Sequence, residues 1–122
     1  MRALVVDDSR AIRTIIGKIL RELGFEVLEA CHGREGLDQM ASGPVDLAMV
    51  DWNMPEMNGF EFLCAARANP AYSGTRILMV TTETEMSQVA RALEAGADEY
   101  VMKPFTKDIL IEKLQVVGLS PT

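Results

Sequence analysis

Short, almost purely apolar runs alternate along this chain with longer segments whose apolar residues recur every third or fourth position. These are the signatures of buried strands and amphipathic helices. The strand-like runs are Ala3 to Asp7, Phe25 to Ala30, Leu47 to Val50, Ile77 to Val80 and Tyr100 to Met102. The third and fourth are apolar throughout, as strands covered on both faces should be. Glu26 and Glu29 suit the second to an edge. Ser9 can cap a first helix with Ile12, Ile15, Ile16, Ile19 and Leu23 in one stripe, which Gly24 stops. Leu37 and Met40 mark a short second helix, ended by Ser42-Gly43-Pro44. A third, Asn58 to Ala68, presents Phe60, Leu63 and Cys64 on one face and ends at Asn69-Pro70. Met86, Val89, Ala90 and Leu93 line a fourth, closed by Gly96. Thr106 can cap a fifth, with Ile109, Leu110, Leu114 and Val117 facing inward and Gly118 after it.

Strand–helix units of this size imply a parallel sheet with helices on both faces, because right-handed crossovers allow little else. Ligands of such sheets bind beyond the carboxyl ends of the strands, where connections diverge to opposite faces. For the order 2-1-3-4-5, that divergence lies between the first and third strands, which end in Asp7-Asp8 and Asp51. The fourth runs into Thr81-Thr82 and the fifth into Lys103-Pro104. Neighbouring strands would bring three carboxylates, a hydroxyl and one ammonium to a common rim.

Composition narrows the setting. The 122 residues are 48% hydrophobic and 25% charged, which fits one soluble domain spanning 1–122 without disulfides or structural metal. A net charge of -6 argues against nucleic-acid binding and against attraction to an anionic membrane. No apolar run approaches a membrane span, and MRALVV enters a strand without signal-peptide architecture. A cytoplasmic location without membrane insertion is the expectation. Cys31 and Cys64 have no CxxC spacing and His32 is the one histidine, so a soft-metal site is poorly supplied. Both thiols read as reduced core or near-surface residues, His32 as a satisfied or solvated loop residue, and the eight methionines as packing.

The acids carry the chemistry. Three carboxylates within about 4 Å of one another repel by about 4 kcal/mol per pair at an effective dielectric near 20. An oxygen-only set of this charge suits Mg2+, with Mn2+ possible. Each residue also has a plainer reading. Asp7-Asp8-Ser9 is good helix-capping sequence, and Asp51 can start the turn at Trp52-Asn53-Met54-Pro55. Thr81 fits any strand, Lys103 any solvated surface, and Tyr100 a half-exposed strand. A proline after Lys103 fixes the turn and can take the cis form. The joint order of these residues is more informative than any one of them.

VVDDS at 5–9, MVDWNMPEMNG at 49–59, MVTTE at 79–83 and AGADEYVMKPFT at 95–106 together resemble the receiver domain of bacterial two-component response regulators. The likeness covers essentially the whole chain and is to stand-alone chemotaxis regulators of the CheY type. It implies a flavodoxin-like, doubly wound α/β fold with a five-stranded parallel sheet of order 2-1-3-4-5. It also implies a phospho-accepting switch, with Asp51 taking a phosphoryl group from a sensor histidine kinase. Asp8, Asp51 and the Asn53 carbonyl would ligate Mg2+ directly and Asp7 through water, with Lys103 neutralising phosphoryl charge. Thr81 becomes the sensor, Tyr100 the aromatic that follows it, and the Asn53/Glu83 side chains the control on dephosphorylation. The output surface for a downstream protein target would be the fourth helix, fifth strand and fifth helix, including Val89, Leu93, Tyr100 and Lys113. Met86 stands where regulators that bind the flagellar motor typically carry lysine, which weakens a motor assignment.

Two other function classes fit the residues less well. An aspartate-nucleophile phosphohydrolase of the haloacid-dehalogenase type would want a second aspartate two residues after Asp51, where this chain has Asn53, and a cap domain that it lacks. A flavodoxin-like electron carrier would need a hydroxyl- and glycine-rich first loop, whereas Asp7-Asp8 would repel a cofactor phosphate. The ending Gly118-Leu119-Ser120-Pro121-Thr122 is taken to close a natural single-domain protein with no attached effector, which signals by binding another protein.

Overall fold

A computed structural model describes residues 1–119; Ser120-Pro121-Thr122, part of the expected chain ending, lie outside the described residues. The elements run β1 (Arg2–Val6), α1 (Arg10–Glu22), β2 (Glu26–Ala30), α2 (Gly33–Ala41) and β3 (Leu47–Asp51). They continue as α3 (Gly59–Arg67), β4 (Arg76–Thr81), α4 (Val89–Glu94), β5 (Glu99–Met102) and α5 (Lys107–Val116). Two 3-10 turns, Pro70–Tyr72 and Glu83–Gln88, precede β4 and α4. All neighbouring strands pair in parallel in the order β2-β1-β3-β4-β5, as expected, with the glutamate-bearing β2 at one edge. No helix among the described residues is long and apolar enough to cross a membrane.

Alternation along the strands divides the core in two. Leu4, Val6, Ala48, Val50, Ile77 and Met79 face Met40 of α2, Phe62, Leu63 and Ala66 of α3, and Ala92 of α4. Ala3, Val5, Leu47, Met49, Leu78 and Val80 face Ile16 and Leu20 of α1 and Leu110 and Leu114 of α5. A period of two thus feeds both layers from the same strands.

The helix faces depart from the expected ones in instructive ways. On α1 the contact line is Ile16, Leu20 and Leu23, while Ile15 points out at 57% exposed. The stripe of isoleucines is wider than the sheet needs. On α3, Asn58 caps the helix and Phe62, Leu63 and Ala66 turn inward, leaving Cys64 exposed. The fourth helix begins as a 3-10 turn at three residues per turn, so a phase read from Met86 at 3.6 residues per turn slips. Val89 is buried as expected, but Ala92 takes the inward place of Ala90 and Leu93. On α5, Ile109 is exposed and Ile111 packs against the core in its place.

This packing predicts a sharp contrast. Phe62→Ala, at a fully buried ring, should cost about 3–5 kcal/mol in urea unfolding, whereas Ile15→Ala should cost under about 1 kcal/mol. Similar losses at the two positions would contradict the assigned helix faces.

Candidate functional site

Strand register sets the geometry. Val6 pairs with both Ala30 and Val50, Asp51 with Val80, and Thr81 with Met102, so the strand ends finish level. Asp7, Asp51, Thr81 and Lys103 therefore emerge at one rim, Asp7 and Lys103 one residue past their strands. Lys103 N–H donates to the Thr81 carbonyl at 2.7 Å, which ties the fifth strand's exit to the fourth. The Lys103–Pro104 peptide is cis.

Asp7 and Asp51 are 1% and 6% exposed, and Asp8 lies open to solvent. Asp7 Oδ1 accepts the Ser9 N–H at 2.8 Å, while its Oδ2 receives Lys103 Nζ at 3.3 Å. The same ammonium donates to Asp51 Oδ1 at 3.0 Å. Ser9 caps α1, as expected, so Asp7 serves both a turn and the crevice. One carboxylate oxygen from each of Asp7, Asp8 and Asp51 lies within 4.8 Å of the other two.

Burial is the largest influence on Asp51 and pushes its pKa up to about 6. The Lys103 hydrogen bond opposes that rise, and the charges of Asp7 and Glu85 add to it. Burial works against the Lys103 ammonium, but its hydrogen bond to Asp51 and the two aspartate charges outweigh this and raise its pKa. The crevice thus holds more negative charge than its one lysine neutralises. The donors fit a hard divalent cation: all are carboxylate oxygens at bridging separation, and a cation would offset the cost of burying Asp51.

Thr81 is fully buried, with its hydroxyl donating to Met86 Sδ at 3.6 Å. Tyr100 is half-buried on the β5 edge, where Lys113 Nζ sits 4.3 Å from its ring centroid and 3.4 Å from Glu99 Oε1. Asn53 and Glu83 are exposed beside the rim. Among the residues expected on the output surface, Leu93 is exposed and Tyr100 and Lys113 half-buried. Val89 is a correction: it is buried on the same helix face as Ala92, three residues on, so it follows the inward periodicity and is not on the output surface. His32 caps α2 by accepting the Glu35 N–H on Nδ1, the satisfied loop role expected of it.

Three features went unread in the sequence. Gly59 lies so close to Asp51 that a Cβ there would collide with the Asp51 carbonyl oxygen, and its N–H donates to the Trp52 carbonyl at 3.0 Å. Only glycine lets α3 start this near the end of β3. Glu85 is buried and accepts the Thr82 N–H at 2.9 Å; the Thr-x-x-Glu spacing at 82–85 is the signal that could have found it. Beside Lys103, Ile12, Ile15, Ile16 and Ile19 form an apolar groove with Pro104 and Phe105. The surplus width of the α1 stripe was its signature.

The comparisons agree with this geometry. Residues 3–115 match the response regulator receiver domain family. The chain is 45% identical to chemotaxis protein CheY1 of Helicobacter pylori strain J99 over 96% of each. It is 47% identical to the chemotaxis protein CheY homolog of Campylobacter jejuni, over 96% of this chain and 92% of that one. The structure of chemotaxis protein CheY4 of Vibrio cholerae superposes with a TM-score of 0.88 at 40% identity, covering 95% of this chain and 97% of that one. Fold and rim together define a phosphoacceptor signalling switch. The chain belongs to the response regulator receiver domain family, and the haloacid-dehalogenase alternative is not favoured.

The raised Asp51 pKa has a measurable consequence. Above about pH 6 the native carboxylate is charged at a cost that the unfolded chain, near its ordinary value of 3.8, does not bear. As pH falls through 6 towards 4, the native state takes up the proton first and that cost disappears. In EDTA, Asp51→Asn should therefore gain about 1–3 kcal/mol at about pH 7.5 and much less at about pH 4.5. Urea unfolding of both proteins at the two pH values checks this; an equal gain at both, or a loss at the higher one, would contradict it.

Proposed function

We propose that Asp51 is the residue this switch phosphorylates and that Lys103 and the rim acids are its machinery. The observation that carries the assignment is the single ammonium held between Asp51 and Asp7 at the mouth of the crevice. An Asp51 oxygen attacks phosphorus of a histidine-kinase phosphohistidine. The P–O bond forms as the P–N bond breaks, and the electron pair leaves on the imidazole nitrogen, which takes a proton. Lys103 neutralises charge on the equatorial oxygens as the group passes. Asp8, Asp51 and the Asn53 carbonyl would hold Mg2+ directly, with Asp7 acting mainly through water. The ion supplies charge neutralisation for the transferring group.

Thr81, one strand over, is read as the residue that senses the new oxygens, and Tyr100 as the side chain that follows its movement. The exposed Asn53 and Glu83 side chains stand where they control water access to the acyl phosphate. Leu93, Tyr100 and Lys113 belong to the face of α4, β5 and α5 that a downstream protein target would read. The apolar groove shares Lys103 with the crevice, so a protein donor presenting phosphohistidine would cover it. The names of the relatives support a chemotaxis role, for which we read a cytoplasmic location, whereas Met86, at a position typically lysine in motor-binding regulators, argues against carrying over a motor target.

With Mg2+ and phosphoramidate, the intact mass should rise by one phosphoryl group, and Asp51→Asn should abolish the rise. An unchanged mass shift in that variant would place the acceptor elsewhere. Lys103→Ala should keep Mg2+ affinity within about threefold, since it removes no metal ligand, yet lose the response of the α4–β5–α5 face to beryllofluoride. NMR of that face, together with a Mg2+ titration, separates the two roles. Lost Mg2+ binding with switching preserved would refute the assignment.

A further inference from the structure

The buried Thr81 hydroxyl is engaged in this structure by the sulfur of Met86, 3.6 Å away. The Thr81 carbonyl is pinned by the Lys103 N–H, so side-chain rotation moves the hydroxyl without moving the strand. Met86 lies half-buried in the 3-10 turn Glu83–Gln88 that leads from β4 into α4. That turn begins where Thr82 N–H donates to Glu85 Oε1, and its tighter, poorer hydrogen-bond geometry makes it the adjustable part of the connection. A thioether is a weak acceptor, whereas a charged phosphoryl oxygen is a strong one.

We propose that Met86 is the resting-state partner of the switch hydroxyl. Its sulfur occupies the Thr81 proton until a phosphoryl oxygen on Asp51 out-competes it, and loss of that bond releases the turn leading into α4. Met86 is a positioning residue, since it acts on the site through Thr81. A lysine at this place has donors and no acceptor, so it could not receive the hydroxyl. The methionine thus sets how readily this chain leaves its resting state. The inference rests on Thr81 being the sensor, and the test keeps the two ideas apart.

The probe is beryllofluoride with Mg2+, its apparent affinity read from the fluorescence of Trp52, which adjoins Asp51. Met86→Leu keeps size and loses the acceptor, so it should tighten beryllofluoride binding about threefold. In a Thr81→Val background, where no hydroxyl competes, Met86→Leu should change nothing further. No tightening in the wild-type background, or equal tightening in both, would overturn the Met86 proposal. A Thr81→Val protein that binds beryllofluoride as tightly as wild type would instead remove the sensor role of Thr81, a separate failure. The methyl resonance of Met86 gives a second readout. It should move on beryllofluoride addition and already be displaced in unliganded Thr81→Val; an unmoved signal in both would also overturn the proposal.

Discussion

One ammonium between two buried carboxylates organises this molecule. Lys103 reaches Asp7 and Asp51 at 3.3 Å and 3.0 Å, and solvent-exposed Asp8 completes an acidic triad within 4.8 Å. The pair interactions hold the crevice together but do not neutralise it, which is why burial and the neighbouring acids still push the Asp51 pKa up to about 6. A site in that condition favours added positive charge and tolerates a phosphoryl group only when such charge accompanies it. Under the proposed function, that residual imbalance would link metal binding, phosphoryl acceptance and the response that follows.

The sheet converts that local imbalance into a signal because it fixes where each group can be. Parallel register delivers Asp7, Asp51, Thr81 and Lys103 to one edge, and two apolar layers hold the strands from both sides. Gly59 allows α3 to start against the Asp51 backbone, so Asp51 is buttressed by main chain. The β4–α4 connection is more adjustable. It consists of a 3-10 turn, a hydroxyl bonded to sulfur and a helix of only six residues, and 3-10 hydrogen-bond geometry is poorer than that of an α-helix. Rigidity at Asp51 and adjustability past Thr81 are what a phosphorylation switch requires of neighbouring strands.

The sequence carried the sheet and the candidate rim because both depend on short-range pattern. An apolar strand ending on an acid, a hydroxyl or a lysine is visible in a few residues, and the strand order follows once the crossovers are accepted. Helix faces were less legible. Ile15, Cys64, Leu93 and Ile109 all lie outward where periodicity alone placed them inward. In α1 more isoleucines are present than the contact line uses. In α4 the 3-10 turn resets the phase, so Ala92 is buried while Ala90 and Leu93 turn outward. The burial of Glu85 and the contact of Met86 with the Thr81 hydroxyl were not legible, because their partners, Thr82 N–H and that hydroxyl, are decided by the same turn.

The charge account is tested most directly by titrating the protein with Mg2+ across the range in which Asp51 gains its proton, using calorimetry. At about pH 7.5 one ion should bind per chain, and the affinity should weaken about tenfold by about pH 5 as the proton displaces the cation from Asp51. Affinity that stays constant over that range, or no binding at the higher pH, would contradict the account.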